Sequence, residues 1–477
     1  MKKMKWFGMT CFLLLASSAG GAQQADTATT REAGVPEFVW KQSLPIPWGD
    51  PGIYPIGGTE LRALVVFDNK LFASNDYWMD TEKENPDLPG AQVLRLDGPD
   101  SQWQVDLELK DRMPSGLRKY LGIAAMEKVR FTTDGAGQSL SEPVDLLLAG
   151  VWNRAADGID VFSRGIGGQW TKIPIPGQEN APRGAQVRAF AVHKDSTTGI
   201  DIVFAGATHG IFTGTYDPAR GTVVWNPRAE WTGEPGGFVA GGRARVASFA
   251  NCGGKLYATS GGAIYEREDG RSPTWKKIFE TAIHSNNPSD TGLRGLTCIT
   301  DPAGSGPVLL VGLENNPCEI FRIDPRKTDA TGNDKATLEL DVSAFLTKAL
   351  GTRVTYGIIA YNNMTEYPDA SKRFPSLLMG FEVFTPRAQR TFGAKFLNPD
   401  AHYLVRDYDG NYTLREIQDL GITPKPQLES VRTIAVSPFA SDPPGTLYAG
   451  GFDCNSYPVH NTAWLYRGEP SPPILKP

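Results

Sequence analysis

The sequence lacks most of the features by which a class of protein is assigned. Beyond its N-terminus it has no run of about 20 apolar residues, so no membrane-spanning helix is expected. Its formal net charge is −5, and this mild acidity argues against a nucleic-acid-binding protein. Only 21% of the residues are charged while 10% are aromatic, a composition that excludes a disordered chain. A folded protein is expected.

The common catalytic motifs are also missing. There is no His-Glu-x-x-His, Cys-x-x-Cys, Gly-x-Ser-x-Gly, phosphate-binding loop or complete dinucleotide-binding glycine motif, so no cofactor is required by any motif. The sequence has only five histidines, which argues against a His-rich metal centre. Asp407–Asn411 resembles the start of a calcium loop, but its glycine is misplaced and Gln418 stands where a glutamate is needed. A hairpin turn is the better interpretation, and a structural calcium ion elsewhere is left open.

The N-terminus has the pattern of a secretory signal peptide. Lys2, Lys3 and Lys5 precede an apolar run from Trp6 to Ala16, which is too short to cross a bilayer. Small residues follow up to residue 22, so we expect cleavage there and a disordered or extended tail over 23–36. The predicted location is secreted or periplasmic, with no membrane span.

One unit of four short strands recurs along the rest of the chain. Its first strand is apolar, its second ends in small residues and Gly, its third carries Ile or Val beside Tyr or Phe, and its fourth lies around Trp. The first strands of the copies are Leu61–Val66, Leu121–Ala125, Val187–Val192, Ala244–Phe249, Leu293–Leu296, Tyr356–Ala360 and Val431–Val436. Seven copies predict an all-β, seven-bladed β-propeller over residues 37–470.

The ends of the chain complement each other. The seventh copy stops after Trp464–Tyr466 without its Trp strand, while Phe38–Pro45 matches the Trp strand of the second copy, Gln169–Pro174. An N-terminal strand should therefore complete the last blade and remove an exposed sheet edge. Two or three separate β-sandwich domains are the alternative, but they would give this complement no role.

A family resemblance follows from these units. Arg267–Trp275 resembles a degenerate Asp-box of sialidase-type propellers, with Arg267 in place of the usual Ser or Thr. The chain is thus similar to the broad superfamily of secreted seven-bladed propellers with sialidase-like or kelch-like blades, without a specific family. The resemblance implies a site around the central channel, on the face shared by the loops between second and third strands. It implies no activity.

Arginine recurs at the mouth of the innermost strands. Arg62, Arg188, Arg245, Arg294 and Arg432 take the same place in five copies. Guanidinium groups around one funnel would bind an anionic ligand, because arginine pairs bidentately with carboxylate or sulfate. The alternative is that each arginine pairs with an acid or carbonyl of the adjacent blade.

The loops after the second strands differ from copy to copy, which is where binding specificity tends to lie. They supply candidate ligand-binding residues: Asp76, Trp78, Asn153, Glu314 and Asp453. Aromatic, carboxylate and amide groups together suit a carbohydrate. Polar loop tips that only face water are the alternative for each residue.

If chemistry occurs, His209 is the first candidate for a general acid or base, since imidazole titrates near neutrality. Tyr457 and His460 are second candidates. Arginine with His or Tyr would serve β-elimination on a uronate polymer, and paired carboxylates among Asp76, Glu314, Glu382 and Asp453 would serve hydrolysis.

Four cysteines remain after the expected cleavage: Cys252, Cys298, Cys318 and Cys454. An oxidising compartment permits disulfides. Cys252 and Cys298 lie on or beside inner strands of adjacent blades, so this pair is geometrically conceivable, and buried free thiols are the alternative.

Three functions are compatible with these patterns. The first is an exported propeller that binds an anionic carbohydrate at the central funnel and, if it also cleaves it, is a polysaccharide lyase or glycoside hydrolase. The second is a non-catalytic propeller that docks a protein or glycan partner. The third is a small-molecule enzyme such as a metal-dependent lactonase. We expect a monomer whose ligand is an anionic glycan or small molecule, and no nucleic acid.

Overall fold

The structure is a computed structural model of the 477-residue chain. It describes residues 34–44, 56–77, 89–181, 184–233, 245–283, 291–328, 334–360, 364–368, 374–386, 400–423, 428–452 and 462–471. These residues belong to one compact unit, 33–477. Of the predicted site residues, Trp78, Asp453, Tyr457 and His460 lie outside the described residues.

The described residues are almost entirely in β-strands. The first strands are β1 (Phe38–Gln42), β2 (Glu60–Phe67), β3 (Lys70–Asp76), β4 (Ala91–Leu96), β5 (Gln104–Leu109), β6 (Tyr120–Thr133), β7 (Ser139–Asn153), β8 (Val161–Arg164) and β9 (Trp170–Lys172). Next are β10 (Val187–Lys194), β11 (Asp201–Ala207), β12 (Gly210–Asp217), β13 (Thr222–Trp225), β14 (Val246–Cys252), β15 (Lys255–Ser260), β16 (Ala263–Glu268), β17 (Thr274–Glu280), β18 (Gly292–Thr300), β19 (Pro307–Glu314), β20 (Glu319–Thr328) and β21 (Asp334–Asp341).

One helix, α1 (Val342–Leu350), interrupts the strands of the described part, and the sequence analysis did not expect it. The Asp341 side chain caps its N-terminus by accepting a hydrogen bond from the Ala344 amide, and Gly351 ends it in the left-handed conformation. The last strands are β22 (Tyr356–Ile359), β23 (Thr365–Tyr367), β24 (Ser376–Phe384), β25 (His402–Arg406), β26 (Tyr412–Glu416), β27 (Ser430–Val436), β28 (Leu447–Phe452) and β29 (Ala463–Pro470).

The strands pair as successive antiparallel meanders, which is the architecture of a β-propeller. β10–β13, β14–β17 and β18–β21 each form a four-stranded sheet in chain order. β22 and β24–β26 form another with β23 alongside, and β2–β9 form one eight-stranded sheet in which β3 meets β6 only at Asp76 and Gly122. The expectation of an all-β propeller is confirmed.

The sheet of β27–β29 is completed by the other end of the chain. β1 pairs antiparallel with β29, with Phe38 opposite Pro470 and Gln42 opposite Tyr466. Trp40 of β1 is buried against Tyr403 of β25. The N-terminal strand therefore takes the place that the sequence analysis assigned to it, and it leaves β29 without a free edge.

Apolar side chains fill the space between consecutive sheets. Phe131 of β6 stacks on Tyr216 of β12, and Leu61 of β2 packs in a cluster with Tyr448 of β28. The first and last sheets of the described chain are thus joined by a core of their own. Burying such side chains supplies about 25 cal/mol for each Å² of apolar surface removed from water.

Two further joints connect strands as the sequence suggested. Cys252 of β14 and Cys298 of β18 form a disulfide between adjacent sheets, with their Cα atoms 5.3 Å apart. Asp407 and Gly410 belong to the hairpin turn between β25 and β26, so the hairpin interpretation of this segment is confirmed. Cys318 is a buried free thiol beside Ser343, and burial raises its pKa to about 12.

Candidate functional site

The candidate site lies where the innermost strands begin and the second strands end. Three of the five predicted arginines are extra residues of β-bulges in innermost strands: Arg62, Arg188 and Arg432. A bulge re-aims the side chain of its extra residue. Arg294 instead pairs regularly with β19, and Arg245 lies directly before β14. The prediction that all five are equivalent is therefore wrong, because the local register differs between strands.

Three carboxylates occupy matching positions on second strands. Asp76, Glu314 and Glu382 each lie two residues after a small residue, namely Ser74, Gly312 and Gly380. Each one contacts an arginine of an innermost strand. The pairs are Asp76 with Arg62, Glu314 with Arg294, and Glu382 with Arg432, the last at 3.2 Å. These positions thus form a repeated arginine–carboxylate contact rather than isolated loop tips.

A fourth carboxylate, Glu60, joins two of these pairs. Its Oε2 lies 2.9 Å from Arg62 Nε, and its Oε1 is bonded to Arg432. Because Arg432 also reaches Glu382, one chain of ionic contacts runs across the sheets of β2, β27 and β24. We call Glu60, Arg62, Asp76, Glu382 and Arg432 the closure cluster, since it spans the sheet that both ends of the chain complete.

The two neighbouring acids of the closure cluster have opposite pKa shifts. Burial raises the pKa of Asp76 to about 8, because the nearby Glu60 carboxylate adds to the effect of burial against the charge of Arg62. Burial also acts on Glu60, but the charges of Arg432, Arg62 and Arg188 and the hydrogen bond with Asp76 bring its pKa below the ordinary value. The two acids interact, and their opposite shifts favour a single proton on the pair near neutral pH.

Close packing fixes Asp76 against the next strand pair. A Cβ atom added at Gly122 of β6 would lie 2.1 Å from the Cβ of Asp76, so only glycine fits there. Thr59 donates its hydroxyl to the carbonyl of Asp76 at 3.2 Å. Neither Asp76 nor Glu60 exposes any surface.

Aromatic rings lie beside the arginines of this cluster. The guanidinium carbon of Arg62 is 5.8 Å from the centre of the Trp152 ring, and that of Arg432 is 4.8 Å from the Phe452 ring. Trp152 follows Gly150 by two residues, as Asp76 follows Ser74, so the ring occupies the equivalent position on β7. Trp152 is half-buried and Phe452 is buried.

A second arginine–carboxylate contact includes a tyrosine. The Tyr356 hydroxyl of β22 donates to Glu314 at 2.7 Å, and Arg294 bonds the same carboxylate. Burial and the charge of Glu314 raise the pKa of Tyr356 above its ordinary value, so its hydroxyl stays protonated and acts as a donor.

The remaining predicted residues lie in other surroundings. Arg188 donates to Gln186 at 2.9 Å, and its charge acts on Glu60. Arg245 is buried with 9% of its surface exposed. His209 Nε2 lies 3.3 Å from Gln178, and its ring packs edge-on against Phe212. This places His209 beside the loop that precedes β10.

Asn153 has a structural role in its own loop. Its side-chain amide donates to Asp157 at 2.8 Å and to the carbonyl of Gly158 at 3.1 Å. Its oxygen accepts from the backbone amide of Ala155 at 2.9 Å. These contacts use its hydrogen-bonding groups to shape residues 153–158.

Sequence reasoning missed Glu60 and Tyr356 as members of these contacts. Glu60 stands two residues before Arg62, where the other innermost strands have no acid, and this departure from the repeat was the available signal. Tyr356 gave no comparable signal, because an aromatic residue at the start of an innermost strand reads as core.

A different kind of ion pair recurs at the opposite end of the strands. An arginine at the end of a third strand bonds an acid from the preceding strand group, and an aromatic residue of its own fourth strand donates to the same acid. These outer clamps are Arg164–Asp106–Trp170, Arg267–Glu230–Trp275 and Arg406–Glu339–Tyr412. The arginine-to-acid distances are 2.8, 2.8 and 2.5 Å.

Within the described ranges, no group of three or more His, Cys, Asp or Glu side chains could hold a metal ion. In the same part of the chain, no helix is long and apolar enough to cross a membrane.

Comparison with known proteins leaves the family of this chain open. No protein-family model matches it, and no curated protein matches its sequence. Among solved structures, a protein assigned as a 6-phosphogluconolactonase from Bacteroides uniformis is 12% identical, with a TM-score of 0.38 over 74% of this chain and 88% of that one. A thermostable family-43 glycoside hydrolase is also 12% identical, with a TM-score of 0.33 over 76% and 93%. The Dos1 propeller is 11% identical, with a TM-score of 0.42 over 91% and 95%. Values this low transfer no activity to this chain.

Proposed function

We propose that this protein is an exported propeller that binds an acidic carbohydrate where its innermost strands begin. The observation that carries the proposal is the collection of guanidinium, carboxylate and aromatic groups at one level of several sheets. Hydroxyl groups of a sugar need both donors and acceptors, which arginines and carboxylates supply together. Trp152, half-buried beside Arg62, offers a ring on which a sugar face can stack.

We propose that the ligand is acidic because the positively charged side chains of the site are arginines. Arginine, not lysine, stands on or directly before five innermost strands, and its planar group binds a carboxylate through two parallel hydrogen bonds. Arg188 lies in the bulge at the start of β10, and its charge acts on Glu60 of the closure cluster. We assign it to the ligand carboxylate.

We also propose that the ring has seven blades and that residues 1–22 direct export. The blade count is supported by dividing the eight-stranded sheet into β2–β5 and β6–β9, whose strands pair with each other only at Asp76 and Gly122. Export is supported by the Cys252–Cys298 disulfide, since such bonds persist in oxidising compartments.

The test is binding of the purified protein to polygalacturonate, alginate and hyaluronate, with dextran as the neutral polymer. We expect binding to at least one acidic polymer and none to dextran. Trp152→Ala should weaken that binding about tenfold or more, since stacking and cation–π contacts are each worth about 1 kcal/mol or more. Trp170→Ala is the matched control, because Trp170 is also half-buried but belongs to an outer clamp.

The same incubations report whether the bound polymer is cleaved, by reducing ends and by the absorbance of unsaturated products. Binding without products assigns the protein to the non-catalytic class. Absence of binding to all three acidic polymers, or equal effects of the two tryptophan variants, would contradict the proposal.

A further inference from the structure

We propose that Asp76 is a positioning residue: its proton holds Glu60 between Arg62 and Arg432, and loss of this proton reorganises the arginines around the ligand. The effect on binding rests on the proposed function, whereas the effect on stability does not. Asp76 is not offered as a catalytic residue, because it exposes no surface and so touches no ligand in this conformation.

Asp76 is fully buried, so its carboxyl group contacts other residues of the closure cluster and not solvent. It is bonded to Arg62 and hydrogen-bonded with Glu60, and Gly122 of β6 packs directly against its Cβ atom. Glu60 in turn is faced by Arg432 from β27 and by the charge of Arg188 from β10. One carboxyl and one carboxylate thus lie between guanidinium groups of three strands.

Ionising Asp76 would change this arrangement directly. With its proton, Asp76 donates a hydrogen bond to Glu60, and Arg62 contacts both side chains. Without it, two adjacent carboxylates repel each other at a site without water contact, and both compete for Arg62. Movement of Glu60 would also release Arg432, which bonds it directly.

The direction of the pH effect follows from the pKa of Asp76. Its pKa is about 8 in the folded protein, against 3.8 as its ordinary value, so the folded state keeps a proton that the unfolded chain loses. The contribution of Asp76 to stability is full below pH 3.8 and is lost as the pH rises to about 8. Glu60, with its lowered pKa, contributes stability that is present above its ordinary value of 4.5 and lost as the pH falls. Between pH 5 and 9, only Asp76 changes its protonation state, and Glu60 stays ionised.

Urea unfolding of the wild type and of Asp76→Asn, at pH 5, 7 and 9, tests whether a proton on Asp76 stabilises the folded protein. Asparagine keeps the shape and a donor toward Glu60 but does not titrate. We expect the wild-type midpoint to fall relative to that of Asp76→Asn by about 0.5 M or more between pH 5 and pH 9. Glu314→Gln is the control, because Glu314 occupies the equivalent position and should show no such trend relative to the wild type.

Binding of polygalacturonate, alginate and hyaluronate at pH 6.5 and 9.5 tests whether the Asp76 proton positions the arginines for the ligand. Wild-type affinity for the bound polymer should fall about fivefold or more at pH 9.5, and affinity of Asp76→Asn should not. Equal pH profiles of both proteins, in binding or in unfolding, would overturn the proposal. If no polymer binds, the proposed function fails, while the urea midpoints still decide the role of the proton. If Asp76→Asn does not fold, a carboxyl signal titrating near pH 8 in the wild-type carbon NMR spectrum supports the proposal, and its absence overturns it.

Discussion

The closure cluster and the outer clamps are both buried arginine–carboxylate contacts, but they are built differently. In each outer clamp an arginine and an aromatic residue donate to one acid, and this arrangement recurs three times in the described chain. Further ion pairs surround it, since Arg95 also bonds Asp106 and Arg322 lies 3.5 Å from Glu339. In the closure cluster Glu60 and Asp76 are adjacent acids that share Arg62. Its arginines come from bulges, and its acids have shifted pKa values.

This difference separates structure from candidate function. A contact that repeats between neighbouring sheets is accounted for by their joining. A cluster that departs from the repeat, with two adjacent acids and with guanidinium groups beside aromatic rings, is where function is expected. Adjacent acids are also a cost to the folded state, and this is typical of sites rather than of joints.

Glu60→Gln should have the largest effect on stability. The substitution leaves Arg62 and Arg432 with reduced compensation in a buried site, which costs about 3–5 kcal/mol. Chemical unfolding at pH 7 measures this loss. A loss below about 1 kcal/mol would mean that Glu60 is not the centre of the cluster.

Glu339→Gln and Asp106→Asn should have a smaller effect, of similar size in both. Each removes the charge from an outer clamp while keeping its shape, and hydrogen bonds to charged groups are worth about 1.5–3 kcal/mol. The two unfolding free energies should lie within about 1 kcal/mol of each other, since each acid accepts from one aromatic donor and lies near two arginines. Losses of unfolding free energy that differ widely between the two variants would show that the outer clamps are not equivalent.

Tyr412→Phe should have the smallest effect. It removes only the hydroxyl that donates to Glu339 at 2.7 Å, and Arg406 still bonds the acid. We expect a loss of about 1 kcal/mol in the unfolding free energy. Loss of the whole clamp contribution would show that the hydroxyl, rather than the arginine, positions Glu339.

The sequence was sufficient for the architecture because each repeat carries the same local signals. The small residues at the ends of the second strands and the tryptophans of the outer strands place the strands in order, and Trp40 identifies the strand that completes the last sheet. Packing between neighbours decides these positions, so the small residues recur in every copy and the tryptophans in most.

The contacts of the site could not be predicted from the sequence, because they depend on the register in which the strands pair. Arg62 and Arg294 look alike in the sequence, yet one is a bulge residue and the other is part of the ladder. The link from Arg432 to Glu60 joins residues 372 positions apart, and a single sequence gives no signal for such a contact. His209, chosen for its chemistry, is positioned by Gln178 and Phe212 instead.

The most direct test of the account compares Arg188→Gln with Arg406→Gln in glycan binding and in unfolding. Arg188 acts on Glu60 from β10, whereas Arg406 belongs to an outer clamp. The account predicts that Arg188→Gln weakens binding of the acidic polymer about tenfold or more. It predicts that Arg406→Gln lowers the unfolding free energy and leaves the affinity of the folded protein unchanged. Equal affinities of the two variants would contradict it.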